Sequence, residues 1–589
     1  MADYLRLALC FVLVVLLLGA PFLALVRAGR RIGLDDALAV PFAFVGIGCI
    51  GYASFYLYVA SVPAGLAFSG ACLAAVAWSL LASRRWRAHD VPHLLPVMAL
   101  TALFGFTYLA FMYLYVYASR DDLAALLHFE YPRPHDQVIP MMFAEAIYDR
   151  LPTRTGKDRW DWYFSDRPPL QAGFALLFSP LWPIFGRPIA YQALATALQT
   201  GSLIALWVLT RSLGLGARVS FLAVIAAGTS GFLYYHSVYP WPKLLAATFV
   251  FAAMVPLLRA FFRKEQMTPA AAAIAAAAVT LAMLAHSGAI FTLIPLALML
   301  ALRVHAIVGL RTAALGALIV AVLYAPWLAY GHFVDPNNNK LIRLHLTDAN
   351  VESTEPVLGV VANSYRALTF DRWVADRLEN FKTQFRIAHL DALTAQLARG
   401  VRNARFRPPI EPREWPEVRT DKLDYDVISL GTLLRIDQRT IAARSLGLMN
   451  LAWPFLLVLL LRRRGLGATG PPLVFLLALN AATSLLWCVA EFRAGTTVIA
   501  NASYAMLLIA LICATVILSQ VSDRLARVVC FANAALTCTI WVAMGPGAFW
   551  PGPMNHAALA AGLAGMAAIV MLIRRAWPRE DGEAAPARA

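Results

Sequence analysis

Two charged residues in the first third of the sequence have the types and the setting that transfer chemistry needs. Asp136 opens the segment "DQVIPMMFAEAIYDRLP", whose apolar residues recur at helical spacing. Arg167 stands in "FSDRPPLQAG", directly before two prolines and a long apolar stretch. A carboxylate can accept a proton, and a guanidinium on a stiff backbone can bind a phosphate through two hydrogen bonds. We therefore expect proton transfer at Asp136 and phosphate binding at Arg167.

Each of these residues also has a purely structural interpretation. Asp136 could serve only as the N-cap of the surface helix that follows, in which Pro140 is tolerated because it falls in the first turn. Arg167 could only anchor the chain at the level of the lipid head groups. Together the two residues favour the chemical interpretation, because an acid opens a surface helix and a cation follows it on a rigid elbow.

Polar residues at two later helix ends extend the candidate site. In "YYHSVYPWPKLLA", His236, Tyr239 and Trp241 precede Lys243, which begins an otherwise apolar helix. In "LAHSGAIF", His286 separates two apolar runs. A snorkelling lysine and a tight turn are the structural alternatives. We expect Lys243 and His286 to contact phosphate, with the residues before Lys243 lining the substrate cavity.

Five further residues are candidates for the walls of that cavity. His135 and Gln137 flank the candidate base, and Asp166 precedes Arg167, which it could orient. Lys340 and Arg343 lie in a later polar loop and, like His345 beside them, could meet anionic groups, although most such residues are solvated.

The elements that must position these residues are membrane helices. The chain has 589 residues, of which 60% are hydrophobic and only 14% charged, too apolar for an ordinary soluble fold. Apolar runs long enough to cross a bilayer recur along nearly its whole length, so we expect an all-α polytopic membrane protein with roughly fifteen transmembrane helices. They are expected near 5–27, 39–60, 64–83, 94–118, 189–210, 217–235, 243–262, 270–285, 288–304, 312–330, 445–461, 472–489, 496–518, 526–546 and 556–574.

The formal charge of +16 follows membrane topology and does not indicate a nucleic-acid partner. Basic clusters recur at helix ends that alternation places on one side, and the first apolar run lacks a cleavage site, so we expect a retained helix. The alternation requires that 170–186, with Pro180 and Pro183, does not cross the membrane. The clusters are Arg84, Arg85 and Arg87; Arg259, Arg263 and Lys264; Arg462 to Arg464; and Arg574 and Arg575.

Five regions follow from this topology. Residues 1–93 hold three N-terminal helices, 94–330 hold the candidate site and the first outer loop (119–169), and 331–444 form a second outer loop. In that second loop, 364–398 mixes charges with apolar residues at helical spacing, which predicts amphipathic helices on the membrane surface. Residues 445–575 form the C-terminal helices and 576–589 a cytoplasmic tail.

Cysteine usage argues against disulfides and against a cysteine-bound metal. All seven cysteines fall inside apolar runs, and none shows paired ligand spacing. No residue is assigned as a metal ligand.

The acid before a surface helix and the later "FSDRPPL" resemble the GT-C glycosyltransferases, nearest to the aminoarabinose transferases and protein O-mannosyltransferases. In that superfamily the first loop carries a "DE"-like motif and then "F-x-K-P-P-L"; the counterparts here are "HDQ" at 135–137 and "FSDRPPL" at 164–170. The resemblance covers roughly 94–330. It implies a GT-C-like bundle and an enzyme that moves a sugar from a polyprenyl-phosphate donor to an envelope acceptor.

The resemblance also implies roles for two residues. Asp136 would be the catalytic base or help to bind a metal, and Arg167 would hold the donor phosphate. Gln137 stands where an acid is common, which argues against a metal site, and Arg167 replaces a lysine. A divalent metal, Mg or Mn, stays open as a cofactor.

Three alternatives remain: a ligase or polymerase that uses a diphosphate-linked donor, a transporter of lipid or glycan, and a scaffold without catalysis. The few ionisable residues within helices and the two long outer loops favour an outward active site over alternating access. The Ala- and Arg-rich composition and the positive-inside pattern indicate a bacterial inner membrane, with the site facing the periplasm.

Overall fold

The computed structural model describes residues 2–82, 94–114, 137–151, 164–335, 340–348, 355–385, 443–461, 467–494, 503–544 and 554–578. These residues form helices, short helical turns and connecting loops, and no β-strand occurs within them. The expectation of an all-α chain is therefore confirmed for this part of the molecule.

The helices before the second outer loop carry most of the candidate residues. They are α1 (Ala2–Arg31), α2 (Asp36–Ala60), α3 (Val62–Ala82), α4 (Leu94–Met112), α5 (Ile139–Tyr148), α6 (Leu170–Leu177), α7 (Trp182–Phe185), α8 (Arg187–Thr200), α9 (Ser202–Ser212), α10 (Ala217–Gly228), α11 (Gly231–Val238), α12 (Lys243–Arg263), α13 (Pro269–Ala285), α14 (Ile290–Ala301), α15 (Val304–Ile307) and α16 (Leu310–Ala329). A π-helical turn, Tyr330–Val334, continues α16.

The later helices include three in the second outer loop. They are α17 (Lys340–Leu346), α18 (Val357–Arg366), α19 (Phe370–Phe385), α20 (Ala452–Leu461), α21 (Gly470–Ala490), α22 (Ala505–Val521), α23 (Asp523–Met544) and α24 (His556–Ala576). Short 3-10 turns occur at Phe164–Asp166, Ser179–Leu181, Ser287–Ala289, Ala443–Leu451 and Gly467–Thr469.

The length and composition of the helices identify a multi-pass membrane protein. Among the described residues, nine helical segments are long and apolar enough to cross a membrane, and the bent pair α10–α11 would make a tenth. Further apolar helices, such as α13 and α22, are shorter. Helix α6 has only eight residues, well below the roughly 20 that a span requires.

The structure corrects some of the predicted helices. The helix expected over 445–461 begins only at Ala452, after a 3-10 segment, Ala443–Leu451. A second difference lies earlier in the chain. The sequence predicted a single helix over 217–235, whereas α10 ends at Gly228 and α11 begins at Gly231 after a bend of 58°. The Ser230 hydroxyl accepts a hydrogen bond from the amide of Leu233 and so caps a new helix. The bend gives α11, which carries His236, its own direction.

Contacts between helix ends define two opposite faces of the bundle. The first, called the arginine face, holds the end of α1, the start of α2 and the end of α12. There Arg30 pairs with Asp36 at 2.9 Å, and Arg259 pairs with Asp35. The opposite face, called the site face, holds the start of α12. The position of a candidate residue along its helix is given below by the face to which it is nearer.

Helix α12 lies at the centre of the bundle and packs against α2, α9 and α13. Helix α6, which follows the "PPL" elbow, packs on α2. The two helices approach so closely that a Cβ at Gly173 would collide with the Gly51 carbonyl oxygen, so only glycine is accommodated there. This crossing fixes the elbow against the membrane bundle.

Candidate functional site

The "PPL" elbow buries the Arg167 side chain. Phe164–Asp166 form a 3-10 turn, and the Arg167 amide donates to the Phe164 carbonyl at 3.1 Å. The Phe164 ring stacks on Phe143 of α5, with centroids 5.9 Å apart. Because Arg167 is only 2% exposed, the surface anchor considered for it is not what the structure shows.

A buried glutamine network ties this elbow to the neighbouring helices. The Gln171 amide on α6 donates to the Tyr191 hydroxyl at 2.6 Å and to the Pro240 carbonyl at 2.7 Å. Gln199 on α8 donates to Gln171 Oε1 at 2.9 Å and accepts from the Leu245 amide at 2.9 Å. The network therefore holds the start of α6 and the start of α12 in a fixed relation.

The same network reaches the first outer loop. The Tyr191 hydroxyl donates to the backbone carbonyl of Gln137 at 2.7 Å, and Gln137 is fully buried. Helix α5 begins two residues later, at Ile139, with Pro140 in its first turn as predicted. His135 and Asp136, the candidate base, lie outside the described residues, and so does the side chain of Asp166.

Lys243 begins α12 as predicted and lies among aromatic rings. Its ammonium lies 4.1 Å from the centroid of Trp241 and 5.2 Å from that of Tyr504, at the start of α22. The Tyr504 hydroxyl is hydrogen bonded to Nδ1 of His236 at 2.8 Å. Lys243 is 2% exposed, so this cation is held by ring faces away from water and does not snorkel outward.

The remaining aromatic candidate packs on this group. Tyr239 stacks on Tyr235 at 5.6 Å and meets the Trp241 ring edge-on at 6.2 Å. His236, Tyr239 and Trp241 therefore form one buried wall beside Lys243. That they line a substrate cavity stays a prediction.

His286 lies in the turn between α13 and α14, where its Nδ1 accepts the Gly288 amide at 2.9 Å. This bond agrees with the structural alternative for His286, in which the residue only forms a tight turn. The ring, however, also meets Trp241 edge-on at 5.7 Å. Burial lowers the pKa of His286 well below its usual value, and the charges of Lys243, Arg167 and His345 lower it further. We call Arg167, Lys243, His286 and His345 the basic cluster.

His345 brings the second outer loop into the cluster. It pairs with Glu491, at the end of α21, at 3.0 Å, and the Phe492 amide donates to its carbonyl at 2.8 Å. Asn380 on α19 donates to the Glu491 carbonyl at 2.9 Å. The loop helices α17 and α19 are therefore docked on the end of α21.

Lys340 and Arg343 occupy α17, and both are buried, at 1% and 3% exposed. The Arg343 guanidinium donates to the Glu355 carbonyl. The expectation that such loop cations are solvated is wrong for these two. They lie on the same short helix as His345, whose charge acts on His286.

Ion pairs at the end of α5 hold the rim of the site. Arg187 forms two hydrogen bonds with Asp149, at 2.5 and 2.8 Å, and lies over the Trp182 ring at 5.1 Å. The hydrogen bond from Arg187 lowers the pKa of Asp149. Burial raises the pKa of Glu145, one turn earlier, although Arg187 opposes that rise.

The described side chains offer no metal site. Within the described ranges, no three His, Cys, Asp or Glu residues group as metal ligands would. Asp136, the acid that the resemblance associates with a metal, lies outside the described residues. A divalent metal, Mg or Mn, therefore stays open as a cofactor.

Several residues of the site were not predicted from the sequence: Gln171, Tyr191, Gln199, Tyr504 and Glu491. Gln171 and Gln199 carry a readable signal, because polar residues within apolar segments usually face the protein interior. Glu491, in "WCVAEFRAG", carries the same signal.

Comparison with known protein families, with curated proteins and with solved structures finds no match for this chain.

Proposed function

We propose that this chain is a membrane glycosyltransferase of the GT-C type, with about fifteen membrane helices, that transfers a sugar from a polyprenyl-phosphate donor to an envelope acceptor. The observation that carries the proposal is the burial of two cations at two helix starts that the Gln171–Gln199 network joins at the site face, Arg167 just before α6 and Lys243 at the start of α12. A phosphate that enters this region would meet both cations, and charge-assisted hydrogen bonds from such groups are among the strongest that a phosphate forms.

The chemistry of the cluster favours a phosphate over other anions. Arg167 offers a planar fork that matches two phosphate oxygens, and Lys243 adds a compact positive charge. The aromatic rings around Lys243 give a surface on which a sugar can pack, while their hydroxyl and indole groups offer hydrogen bonds. A lipid-linked sugar phosphate combines these three features in one molecule.

The proposed reaction is a single inverting displacement. The carboxylate of Asp136 takes the proton of the acceptor hydroxyl, whose oxygen forms a bond to the anomeric carbon of the sugar. The bond from that carbon to the phosphate oxygen breaks, and its electron pair leaves with the polyprenyl phosphate. Arg167 and Lys243 stabilise the negative charge that develops on this leaving group. The neutral His286 accepts the Gly288 amide and shapes the turn.

The setting of the reaction is proposed from the charge pattern of the helix ends. The arginine face would lie in the cytoplasm and the site face in the periplasm of a bacterial inner membrane, following the positive-inside rule. Membrane lipids then surround the bundle, and the donor reaches the cluster from the bilayer. An acceptor lipid, glycan or protein would approach from the water side, past the second outer loop.

The experiment compares wild type with Asp136→Asn in nanodiscs, using polyprenyl-phosphate sugars and an envelope extract as the acceptor. Asp523→Asn, an exposed residue in the first turn of α23 at the arginine face, is the matched control. We expect all three proteins to bind a donor, but only wild type and the control to release polyprenyl phosphate. Equal turnover by Asp136→Asn would refute the base, and no donor binding by wild type would favour a transporter.

A further inference from the structure

A cavity of about 380 Å³ lies within the membrane bundle, between the two N-terminal helices and the helices that carry the site. Its volume is within the range of small-molecule pockets, about 300–1,000 Å³. Helices α1, α2, α4, α6, α8, α9 and α12 all contribute to its wall, and nearly every lining side chain is apolar. A ligand for this space must therefore be a hydrocarbon.

The few polar residues in the wall do not change that conclusion. Thr101, Thr200 and Thr248 each donate their hydroxyl to the backbone carbonyl four residues earlier in their own helix, at 2.9, 3.0 and 3.0 Å. Because these hydroxyls are satisfied within their helices, they make no demand on the occupant of the cavity.

The cavity lies in the interior of the bundle, and its lining covers about 12 Å along α1, from Val15 to Leu23. Leu245 lines it near the start of α12, at the site face, and Leu95 lines it near the start of α4. The start of α4 lies toward the arginine face, because Tyr113, just after α4, meets Tyr4 near the start of α1 at 6.2 Å. The lining therefore runs from the site face toward the arginine face, the direction that a lipid chain takes in a bilayer.

The wall is open to the surrounding lipid. Leu16 on α1 and Leu95 on α4, both part of the lining, are 50% and 38% exposed. In a membrane protein, the surface around these helices faces acyl chains rather than water. A long apolar molecule can therefore enter sideways, between α1 and α4.

The site-face end of the cavity is joined to the basic cluster through the start of α12 and the glutamine network. Leu245 follows Lys243 by two residues, about 3 Å along α12 and about 200° around it, and its amide donates to Gln199, whose neighbours Leu198 and Thr200 also line the cavity. Phe174, also in the lining, is on α6, whose first residue follows Arg167 by three positions. A phosphate at the cluster would thus place an attached chain at the entrance of the cavity.

We propose that this cavity holds the isoprenoid chain of the lipid-phosphate donor, with α1 and α2 serving as the tail-binding helices. The inference rests on the proposed function for the phosphate end of the ligand. The two cations favour an occupant that carries a phosphate, and the proposed donor carries a single hydrocarbon chain; a bilayer phospholipid also carries a phosphate, so competition by phosphatidylglycerol distinguishes the two. It also gives α1 and α2, outside the region that resembles GT-C enzymes, a role in substrate binding.

The experiment fills the cavity with one side chain. A Cβ built at Gly19, in the lining, would have only Met98 Cε within 4 Å, at 3.7 Å, so Gly19→Leu extends into the space without a backbone clash. Gly70→Leu is the matched control, because a Cβ on this exposed α3 residue would meet nothing within 4 Å. Binding of a long-chain polyprenyl phosphate and of short geranyl phosphate is measured in nanodiscs for each protein.

We expect Gly19→Leu to raise the Kd for the long chain by about tenfold or more and to leave the Kd for geranyl phosphate nearly unchanged. Gly70→Leu should match wild type for both. An unchanged long-chain Kd in Gly19→Leu, while wild type binds both ligands, overturns the cavity assignment alone. Competition by phosphatidylglycerol that is lost in Gly19→Leu assigns the space to a phospholipid. Failure of wild type to bind either phosphate overturns the proposed function as well.

Discussion

Lys243 holds its ammonium 4.1 Å from the centre of the Trp241 ring, and the same indole meets the His286 ring at 5.7 Å. One aromatic side chain thus joins two members of the basic cluster, one at the start of α12 and one in the turn after α13. A cation on a desolvated indole gains about 2 kcal/mol. We therefore propose that Trp241 positions Lys243 for the phosphate of the donor.

Replacing Trp241 should weaken donor binding in proportion to the loss of its ring. We expect Trp241→Leu to raise the Kd for polyprenyl phosphate by about tenfold, and Trp241→Phe to raise it less, because phenylalanine keeps a weaker ring face for the ammonium. Titration in nanodiscs measures both values. Equal Kd values for the leucine variant and wild type would show that the ring has no part in positioning the cation.

Removing the glutamine network should destabilise the protein. Gln171→Leu leaves Pro240 O and its neighbours without their bonds, and each buried group so abandoned costs about 1–3 kcal/mol. We expect a clearly lower Tm than for Gln520→Leu, the control, which replaces an exposed glutamine bonded to Thr469. Thermal unfolding in detergent measures the difference. Matching Tm values for the two variants would contradict the structural role of the network.

The two carboxylates beside Arg187 should respond to acid in opposite ways. The pKa of Asp149 is below its usual 3.8, so its ion pair stabilises the fold above that pH and is lost as pH falls through the folded value. The pKa of Glu145 is above its usual 4.5, so its contribution is present at lower pH and is lost as pH rises through the folded value.

Tm recorded from about pH 3 to pH 6 tests this contrast. Near pH 6, Asp149→Asn should have a lower Tm than wild type, and the difference should shrink toward the acid end. Glu145→Gln should have a higher Tm than wild type near pH 6, and this difference should also shrink toward pH 3. Parallel curves for both variants would contradict the assignment. Asp149 is about one-third exposed, so its share of the stability is modest.

Helix α19 carries an exposed apolar stripe that we expect to rest on the membrane surface. Phe370, Val374, Leu378 and Phe381 recur at helical spacing and are 42–76% exposed, while Arg377 and Asn380 are buried. An environment-sensitive fluorophore on Leu378→Cys should be quenched by brominated lipid. On Arg372→Cys, about 120° around the helix, it should not. Equal quenching at both positions would place α19 away from the bilayer.

Local sequence signals predicted much of the fold. The helix predicted near 270–285 is α13 (Pro269–Ala285), and the structure shows the Thr268 hydroxyl capping it by accepting the Ala271 amide at 3.2 Å. The helix predicted over 243–262 is α12, which begins at Lys243 and ends at Arg263, one residue beyond the predicted end. Such signals act over a few residues, so they are readable without knowledge of the tertiary structure.

The site was only partly predictable, because its remaining members come from distant segments. His345 and Glu491 are 146 positions apart, and Tyr504 lies 268 positions from His236, to which it is hydrogen bonded. No local pattern reports such a contact. The bend at Ser230 was missed for a related reason, since an apolar run reads as one helix whether or not a side-chain cap interrupts it.

The most direct test of the central claim measures the binding of polyprenyl phosphate to wild type, Arg167→Gln and Arg575→Gln in nanodiscs. Arg575 is exposed in the last turn of α24 and serves as the matched control. A hydrogen bond to a charged group contributes about 1.5–3 kcal/mol, so Arg167→Gln should raise the Kd by roughly tenfold to a hundredfold, with the control unchanged. Equal affinities for all three proteins would contradict the assignment of the basic cluster as a lipid-phosphate site.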